Sequence, residues 1–398
     1  MQEQIAEVEA GDPKTTARIL MVAGGTGGHI FPALAVAEEL RRRGEASGSR
    51  YAIEFLGTHR PLEAKLIPAA AFRLRTVDAA GLKGIGGLQR LRNLLVLPRT
   101  AIEVAGILRE FKPHVVVGVG GYLAGPVMLE AALVRIPTIL IEPNARPGFT
   151  NRLLAPIVRA AAVGFEETAR LFGRKARVTG LPVRRAFFEI PPRRHASAVV
   201  AQALLPVGCG SEPGVAVPPF TVLVVGGSQG SRAINSAVLD GLWLLGQEPG
   251  GIRIIHQTGE HDYNGVRKTY QERGLVAEVH AFIDDMPGTL AQADLVISRA
   301  GATAVAELAA ASRAAILIPF PGATDQHQLE NARAMEKSGA ARVIAQSDLT
   351  PERLAKEIRD LVASPATLER MEICASRLAR PDAAARIADM VEGLARKS

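Results

Sequence analysis

Two glycine-rich runs, each placed where an apolar stretch gives way to a helical pattern, are the residues of this chain best suited to chemistry. Gly24-Gly25-Thr26-Gly27-Gly28-His29 follows Ile19-Leu20-Met21-Val22-Ala23, and Gly226-Gly227-Ser228-Gln229-Gly230 follows Thr221 to Val225. Each reads as strand, loop and helix. Glycine allows positive φ and close approach of N–H groups, and the helix that follows presents its positive end to an anion. Such a loop suits a phosphate or diphosphate, and Ser228 adds a hydroxyl donor. Taken singly, either loop also reads as a turn demanded by packing alone. A third glycine turn, Gly120-Gly121-Tyr122, ends the β-branched run Val115 to Val119. Ser298-Arg299-Ala300-Gly301-Ala302-Thr303 opens a helix carrying Glu307, which could complement the helix dipole or accept two ribose hydroxyls. Gln328 and Asn331 share one helical face beyond Asp325-Gln326-His327, where amides suit sugar hydroxyls or a helix cap.

Other chemistries fit less well. Gly25, Gly27 and Gly28 miss the dinucleotide spacing, and Leu56-Gly57-Thr58 offers no acid for a ribose. Neither loop ends in the Gly-Lys-Ser/Thr of a Walker-type kinase. The histidines are scattered and Asp284-Asp285 reads as a turn, so no metal is expected.

The elements that must position these loops alternate along the chain. Strands are predicted at 51–56, 73–77, 115–119, 138–141, 161–164, 176–179, 221–225, 253–256, 276–281, 295–298, 315–318 and 342–344. The sequence predicts helices from near Phe31, at 62–69, at 88–111 with a bend or restart at Pro98, and at 263–273, 303–311, 328–337 and 383–396. With 398 residues, 47% hydrophobic and only 4% aromatic, the chain suits two α/β domains built on Ala, Val, Leu and Ile. Seven prolines between Leu181 and Pro219 mark the join. The expected layout is an extension 1–17, a Rossmann-like doubly wound domain 18–182, a linker 183–220, a second such domain 221–382, and a helix 383–398 crossing back to the first. Both domains should offer strand ends to one cleft.

A net charge of +7 favours anionic partners. Nucleic acid is disfavoured by four Tyr, one Trp and the lack of a zinc or recognition-helix motif. Cys209 and Cys374 make no disulfide framework, and Met1 to Pro13 lacks a basic-then-apolar signal, which points away from export. The apolar window 115–134 is broken by Gly120, Gly121, Gly125 and Pro126 and contains Glu130, so it reads as strand, loop and helix.

In order and spacing, the three glycine turns, Asn144 with Pro147-Gly148 and Asn151-Arg152, Pro182-Val183-Arg184, Phe282 to Met286, Ser298 to Ala302 and Asp325 to Asn331 resemble the MurG glycosyltransferases over nearly the whole chain. The resemblance implies a GT-B fold and inverting transfer of N-acetylglucosamine from UDP to the C4 hydroxyl of the muramoyl-pentapeptide on undecaprenyl diphosphate. It implies no required cofactor or metal. By the same resemblance Ile283 meets the uracil edge through its backbone, Glu307 the ribose, and Ser228 the diphosphate. Ala302, Thr303, Gln328 and Asn331 line the donor sugar and phosphates, Arg184 helps hold the nucleotide, and Asn144 reaches across from the first domain. Thr26, Gly27 and Gly28 face the reacting region, Gly120, Gly121 and Tyr122 form an acceptor loop, and His29 is the candidate base, with positioning or phosphate binding as its alternative. The family usually has His-Glu-Gln-Asn where this chain has Ile141-Glu142-Pro143-Asn144, so side-chain contacts of that His and Gln do not transfer.

A lipid-borne acceptor implies a peripheral protein at the cytoplasmic face of the inner membrane. Leu82 to Leu97, with Lys83, Arg90 and Arg92 among apolar residues, is the expected contact with anionic lipid; a core-facing helix with a basic outer face is its alternative. A UDP-sugar epimerase, a transferase with another acceptor and a non-catalytic nucleotide-sugar binder are the competing readings.

Overall fold

A computed structural model describes residues 15–78, 87–192, 220–245, 252–323 and 326–397. It divides into two units, Met1–Arg185 with Arg380–Ser398, and Ala186–Ala379. In the first, seven parallel strands run in the order β3-β2-β1-β4-β5-β6-β7, where β1 is Thr15–Val22, β2 Arg50–Gly57, β3 Arg73–Thr76, β4 Val115–Gly118, β5 Thr138–Glu142, β6 Ala160–Val163 and β7 Ala176–Val178. Period-two alternation explains why the strands read as unbroken apolar runs. Ile19, Met21, Val115, Val117, Ile139 and Ile141 enter one core, while Leu20, Val22, Val116 and Leu140 enter the other, so both faces are covered.

The covering helices are α1 (Gly27–Ser47), α2 (Pro61–Ala69), α3 (Gly87–Phe111), α4 (Gly121–Leu133), α5 (Phe149–Leu154) and α6 (Glu166–Phe172). Helix α1 begins earlier than the expected start near Phe31. Thr26 is extended, and the N–H groups of His29 and Ile30 already close on its carbonyl, so Gly27, Gly28 and His29 form the first turn. Helix α3 runs through Pro98 without a break. Proline there removes one donor, and Val104, Leu108 and Phe111 seat the remainder on the sheet.

The second unit has six parallel strands in the order β10-β9-β8-β11-β12-β13, with β8 Phe220–Val225, β9 Ile252–Gln257, β10 Ala277–His280, β11 Leu295–Ser298, β12 Ala315–Leu317 and β13 Ala341–Val343. Its helices are α7 (Arg232–Leu245), α8 (Tyr263–Glu272), α9 (Met286–Gln292), α10 (Ala302–Ala310), α11 (His327–Lys337), α12 (Pro351–Val362) and α13 (Pro365–Leu378). The last helix, α14 (Ala383–Ala395), belongs to the first unit. Its Ile387, Ala388 and Val391 join the core beneath α1, and Arg43 of α1 bonds Asp389 at 2.7 Å and the Ala385 carbonyl at 2.9 Å.

Strand order reverses between β1 and β4 and again between β8 and β11, and the first and second glycine runs leave β1 and β8 at those switch points. Doubly wound sheets bind ligands there. Residues 193–219 of the expected linker, 82–86 of the expected lipid contact and Asp325 lie outside the described residues, as do the side chains of 87–97.

Candidate functional site

In the first unit, two turns converge on His29. Its Nδ1 lies 3.1 Å from the Gly24 carbonyl oxygen, which can only accept; the neutral ring therefore carries its proton on Nδ1 and its basic lone pair on Nε2. Gly121, at φ 81°, packs on this pair: a Cβ there would stand 3.1 Å from the Gly24 oxygen and 3.5 Å from the ring. Thus His29 and the Gly120-Gly121-Tyr122 turn do come together.

The anchor of the loop is a residue whose role the sequence reading did not single out. Glu63, in the first turn of α2 and fully buried, accepts from the Gly25 N–H at 2.7 Å, from the Thr58 hydroxyl at 2.9 Å and from the Thr58 N–H. Arg60 adds a bond to the Gly25 carbonyl at 3.2 Å and lies over the Tyr122 ring. Its only sequence signal is an acid just inside a helix start.

Glu142, at the end of β5, holds the neighbouring loop. Its buried carboxyl accepts from the Asn144 N–H (2.9 Å), Asn144 Nδ2 (3.1 Å), the Gly148 N–H (3.0 Å) and Asn151 Nδ2 (2.8 Å). Burial raises its pKa, and these four donors pull the other way. The Asn144 amide is therefore turned back into its own loop. Arg184 stacks on Phe31 of α1, 5.0 Å from the ring centroid, and its charge opposes the rise that burial gives the Glu38 pKa.

In the second unit, the loop after β8 is closed by backbone. Gly230 (φ 73°) leaves no room for a side chain, since a Cβ would fall 1.9 Å from the Thr258 oxygen, and its N–H donates to the Gly227 carbonyl at 3.0 Å. Ser228 lies in the span between. Among the described residues Arg299, half-buried just after β11, bonds neutral acceptors alone: Ser231 Oγ and Gln346 Oε1, both at 2.7 Å, and the Ile318 carbonyl at 3.1 Å. Burial lowers its pKa to about 10, so the cation persists at neutral pH beside the glycine loop. The sequence reading named this residue within a motif but gave it no task.

Ala302, Thr303 and Glu307 occupy the first turns of α10, with Thr303 and Glu307 on one face. Gln328 accepts the Phe320 N–H at 3.0 Å, and Asn331, buried, donates to the Ala300 carbonyl at 3.1 Å. Both amides therefore brace the loops at the strand ends. Ile283 is buried and its N–H is taken by Gln257 Oε1 at 2.8 Å. Asp285 caps α9 by accepting the Gly288 N–H at 2.9 Å. Among the described residues no group of three His, Cys, Asp or Glu is placed to hold a metal ion.

Beneath the loop runs a buried chain. The Tyr270 hydroxyl lies 2.9 Å from His256 Nδ1, His256 Nε2 lies 3.1 Å from Asn235 Oδ1, and Asn235 Nδ2 donates to the Thr258 carbonyl at 3.1 Å and to Asp262 at 3.0 Å. Burial pushes the His256 pKa down to about 3. An unfolded histidine titrates near 6.5, so between these values the unfolded chain binds the extra proton and stability rises with pH. From pH 7 to pH 5 this site should remove about 2 kcal/mol from the second unit. Urea unfolding at the two pH values checks this. His256→Gln should flatten the dependence, and an equal slope in the variant would refute it.

Residues 19–163 match the glycosyltransferase family 28 N-terminal domain, and residues 221–387 match the family's C-terminal domain. The chain belongs to glycosyltransferase family 28. Within that family it is 44% identical to a Myxococcus xanthus protein over 374 residues, 94% of this chain and 92% of the other. It is 45% identical to a protein of Anaeromyxobacter sp. Fw109-5 over 381 residues, 96% of this chain and 94% of the other. Both carry the name UDP-N-acetylglucosamine–N-acetylmuramyl-(pentapeptide) pyrophosphoryl-undecaprenol N-acetylglucosamine transferase. The crystal structure of Acinetobacter baumannii MurG superposes with a TM-score of 0.67 at 29% identity, covering 95% of this chain and 99% of that one. The family 28 architecture of two Rossmann-like units, GT-B, is thus that of this chain.

Proposed function

We propose that this protein transfers N-acetylglucosamine from UDP-N-acetylglucosamine to the C4 hydroxyl of the muramoyl-pentapeptide of undecaprenyl-diphosphate-linked lipid I, forming lipid II. The observation that carries the reading is the near-full-length similarity to relatives named for this transfer. In the proposed reaction the acceptor oxygen attacks the anomeric carbon from the face opposite UDP. The new C–O bond forms as the bond to the diphosphate breaks, which inverts the centre. His29 Nε2 takes the hydroxyl proton. UDP leaves with its charge met by N–H groups of the Gly226 to Gln229 stretch, the Ser228 hydroxyl and Arg299, an arrangement that supplies the electrostatic stabilisation without a metal or cofactor. Glu307 holds the ribose, and Ala302, Thr303 and Gln328 face the sugar and phosphates. Thr26, Gly27, Gly28 and the 120–122 turn receive the acceptor.

The test is transfer of labelled N-acetylglucosamine to a short-chain lipid I analogue, with free UDP measured alongside. Disaccharide product and equimolar UDP are expected. Donor binding without transfer, or epimerised nucleotide sugar, would overturn the reading.

The protein is proposed to sit on the cytoplasmic face of the inner membrane without crossing it. Among the described residues no helix is long and apolar enough to cross a membrane. Leu129, Leu133 and Val134 at α4 and Phe149, Leu153 and Ile157 at α5 are exposed on adjoining helices, with Arg135, Arg146, Arg152 and Arg159 exposed nearby in sequence. Exposed apolar side chains with exposed arginines close in sequence suit an anionic bilayer. Leu133→Glu combined with Leu153→Glu should weaken sedimentation with phosphatidylglycerol vesicles about tenfold or more, since each Leu contributes on the order of 1.5–3 kcal/mol on full burial. Unchanged binding by the folded variant would remove this surface from the account.

A further inference from the structure

We infer that Gln257 is a positioning residue that ties the base-reading segment of the second unit to its diphosphate loop. The inference rests on the donor site proposed above. Gln257 is the last residue of β9 and is 2% exposed. Its Oε1 accepts the Ile283 N–H at 2.8 Å, and its Nε2 donates to the Gly227 carbonyl at 3.0 Å. A backbone N–H only donates and a carbonyl only accepts, so these two partners fix which way the amide faces.

The side chain can hold this bridge because the residues on either side are pinned. His256 is bonded through Nε2 to Asn235, and the Thr258 N–H donates to the His280 carbonyl at 2.9 Å. One carboxamide thus spans two loops, one following β8 and the other following β10. The first cradles phosphates and the second carries Ile283. Gly227 sits at φ 90°, and its carbonyl accepts from both Gln257 Nε2 and the Gly230 N–H, so the bridge meets the bond that closes the diphosphate loop at one oxygen.

This has a consequence for base selection. With its N–H committed to Gln257, Ile283 offers a base its carbonyl, which is an acceptor. Uracil presents an N3–H donor to such a group, whereas neutral cytosine presents the N3 lone pair. The bridge therefore favours uridine over cytidine nucleotides and sets the distance between base and diphosphate.

Two full-length variants test this: Gln257→Leu, which removes both bonds, and Gln257→Glu, which keeps an acceptor for Ile283 and loses the donor to Gly227. Calorimetric titration with UDP and CDP, steady-state kinetics with UDP-N-acetylglucosamine and thermal unfolding are the measurements. Gln257→Leu should raise the UDP Kd about tenfold or more, because the buried Ile283 N–H loses its acceptor and the Gly227 carbonyl loses one of its two donors. It should also lower the UDP-to-CDP preference about fivefold or more, and raise KM with kcat within about threefold. Gln257→Glu should weaken UDP binding while retaining the preference for UDP over CDP. A purely structural role would not separate the two variants in this way. Should Gln257→Leu fail to fold, Gln257→Glu carries the test through its unchanged base preference and raised Kd. Wild-type affinity in the folded variants, or equal losses for UDP and CDP in Gln257→Leu, overturns the inference. Wild-type protein that binds UDP but transfers nothing overturns the proposed reaction and leaves this inference standing; wild-type protein that does not bind UDP overturns both.

Discussion

Replacing His29 with alanine is expected to lower kcat by a factor on the order of 10² to 10⁴, the usual contribution of a positioned general base, and to leave UDP affinity within about twofold. The ring is held for the task by geometry. Its Nδ1 bond to the Gly24 carbonyl fixes both tautomer and orientation and places the lone pair on Nε2. Gly121 closes against the same carbonyl, so the ring is held between the Gly24 carbonyl and the 120–122 turn. UDP affinity should be spared because the proposed diphosphate loop lies in the second unit. Turnover of lipid I analogue and calorimetry with UDP check the two halves of the expectation. Near-normal turnover in a folded His29→Ala protein would rule out an essential base and leave the imidazole a positioning or phosphate-binding role.

The strands were legible because both faces of each sheet are covered. Ile19 to Ala23 and Val115 to Val119 are apolar at every position, and that pattern has few other solutions in a chain so poor in aromatics. Helices α12 and α13 were not placed, although both announce themselves. Thr350 caps α12 by accepting the Arg353 N–H, proline follows at the first helical position, and Pro365 opens α13 in the same way. The glycine loops could be located from local spacing. The side chains that hold them could not, because their partners are distant in the chain: Glu63 reaches back to Gly25, and Gln257 to Gly227 and forward to Ile283. Periodicity carries no record of such pairings. Amide roles were hardest to read, since the same Asn331 that suits a sugar hydroxyl by type is buried under Ala300.

Glu63→Ala should be the most damaging change outside the residues proposed to meet substrate. Three donors converge on this carboxylate: the Gly25 N–H, the Thr58 N–H and the Thr58 hydroxyl. Each buried donor left without an acceptor costs about 1–3 kcal/mol, and alanine also leaves a cavity where the side chain was. A loss of about 3 kcal/mol or more from the first unit is therefore expected, read as a lowered urea midpoint. Activity should fall further than stability requires. Gly24, whose carbonyl orients His29, precedes the anchored Gly25, and a shift of about 1 Å in a catalytic group can cost on the order of 10²-fold. Glu63→Gln grades the effect: its oxygen can still serve Gly25 and the Thr58 hydroxyl, but its NH2 meets the Thr58 N–H donor to donor. The expected order of kcat is wild type, then Glu63→Gln, then Glu63→Ala, measured under conditions where all three remain folded, with UDP Kd unchanged throughout. If kcat in folded Glu63→Ala stays within about threefold of wild type, the carboxylate supports the fold alone, and the first glycine loop keeps its geometry through the contacts of Gly121 and Arg60.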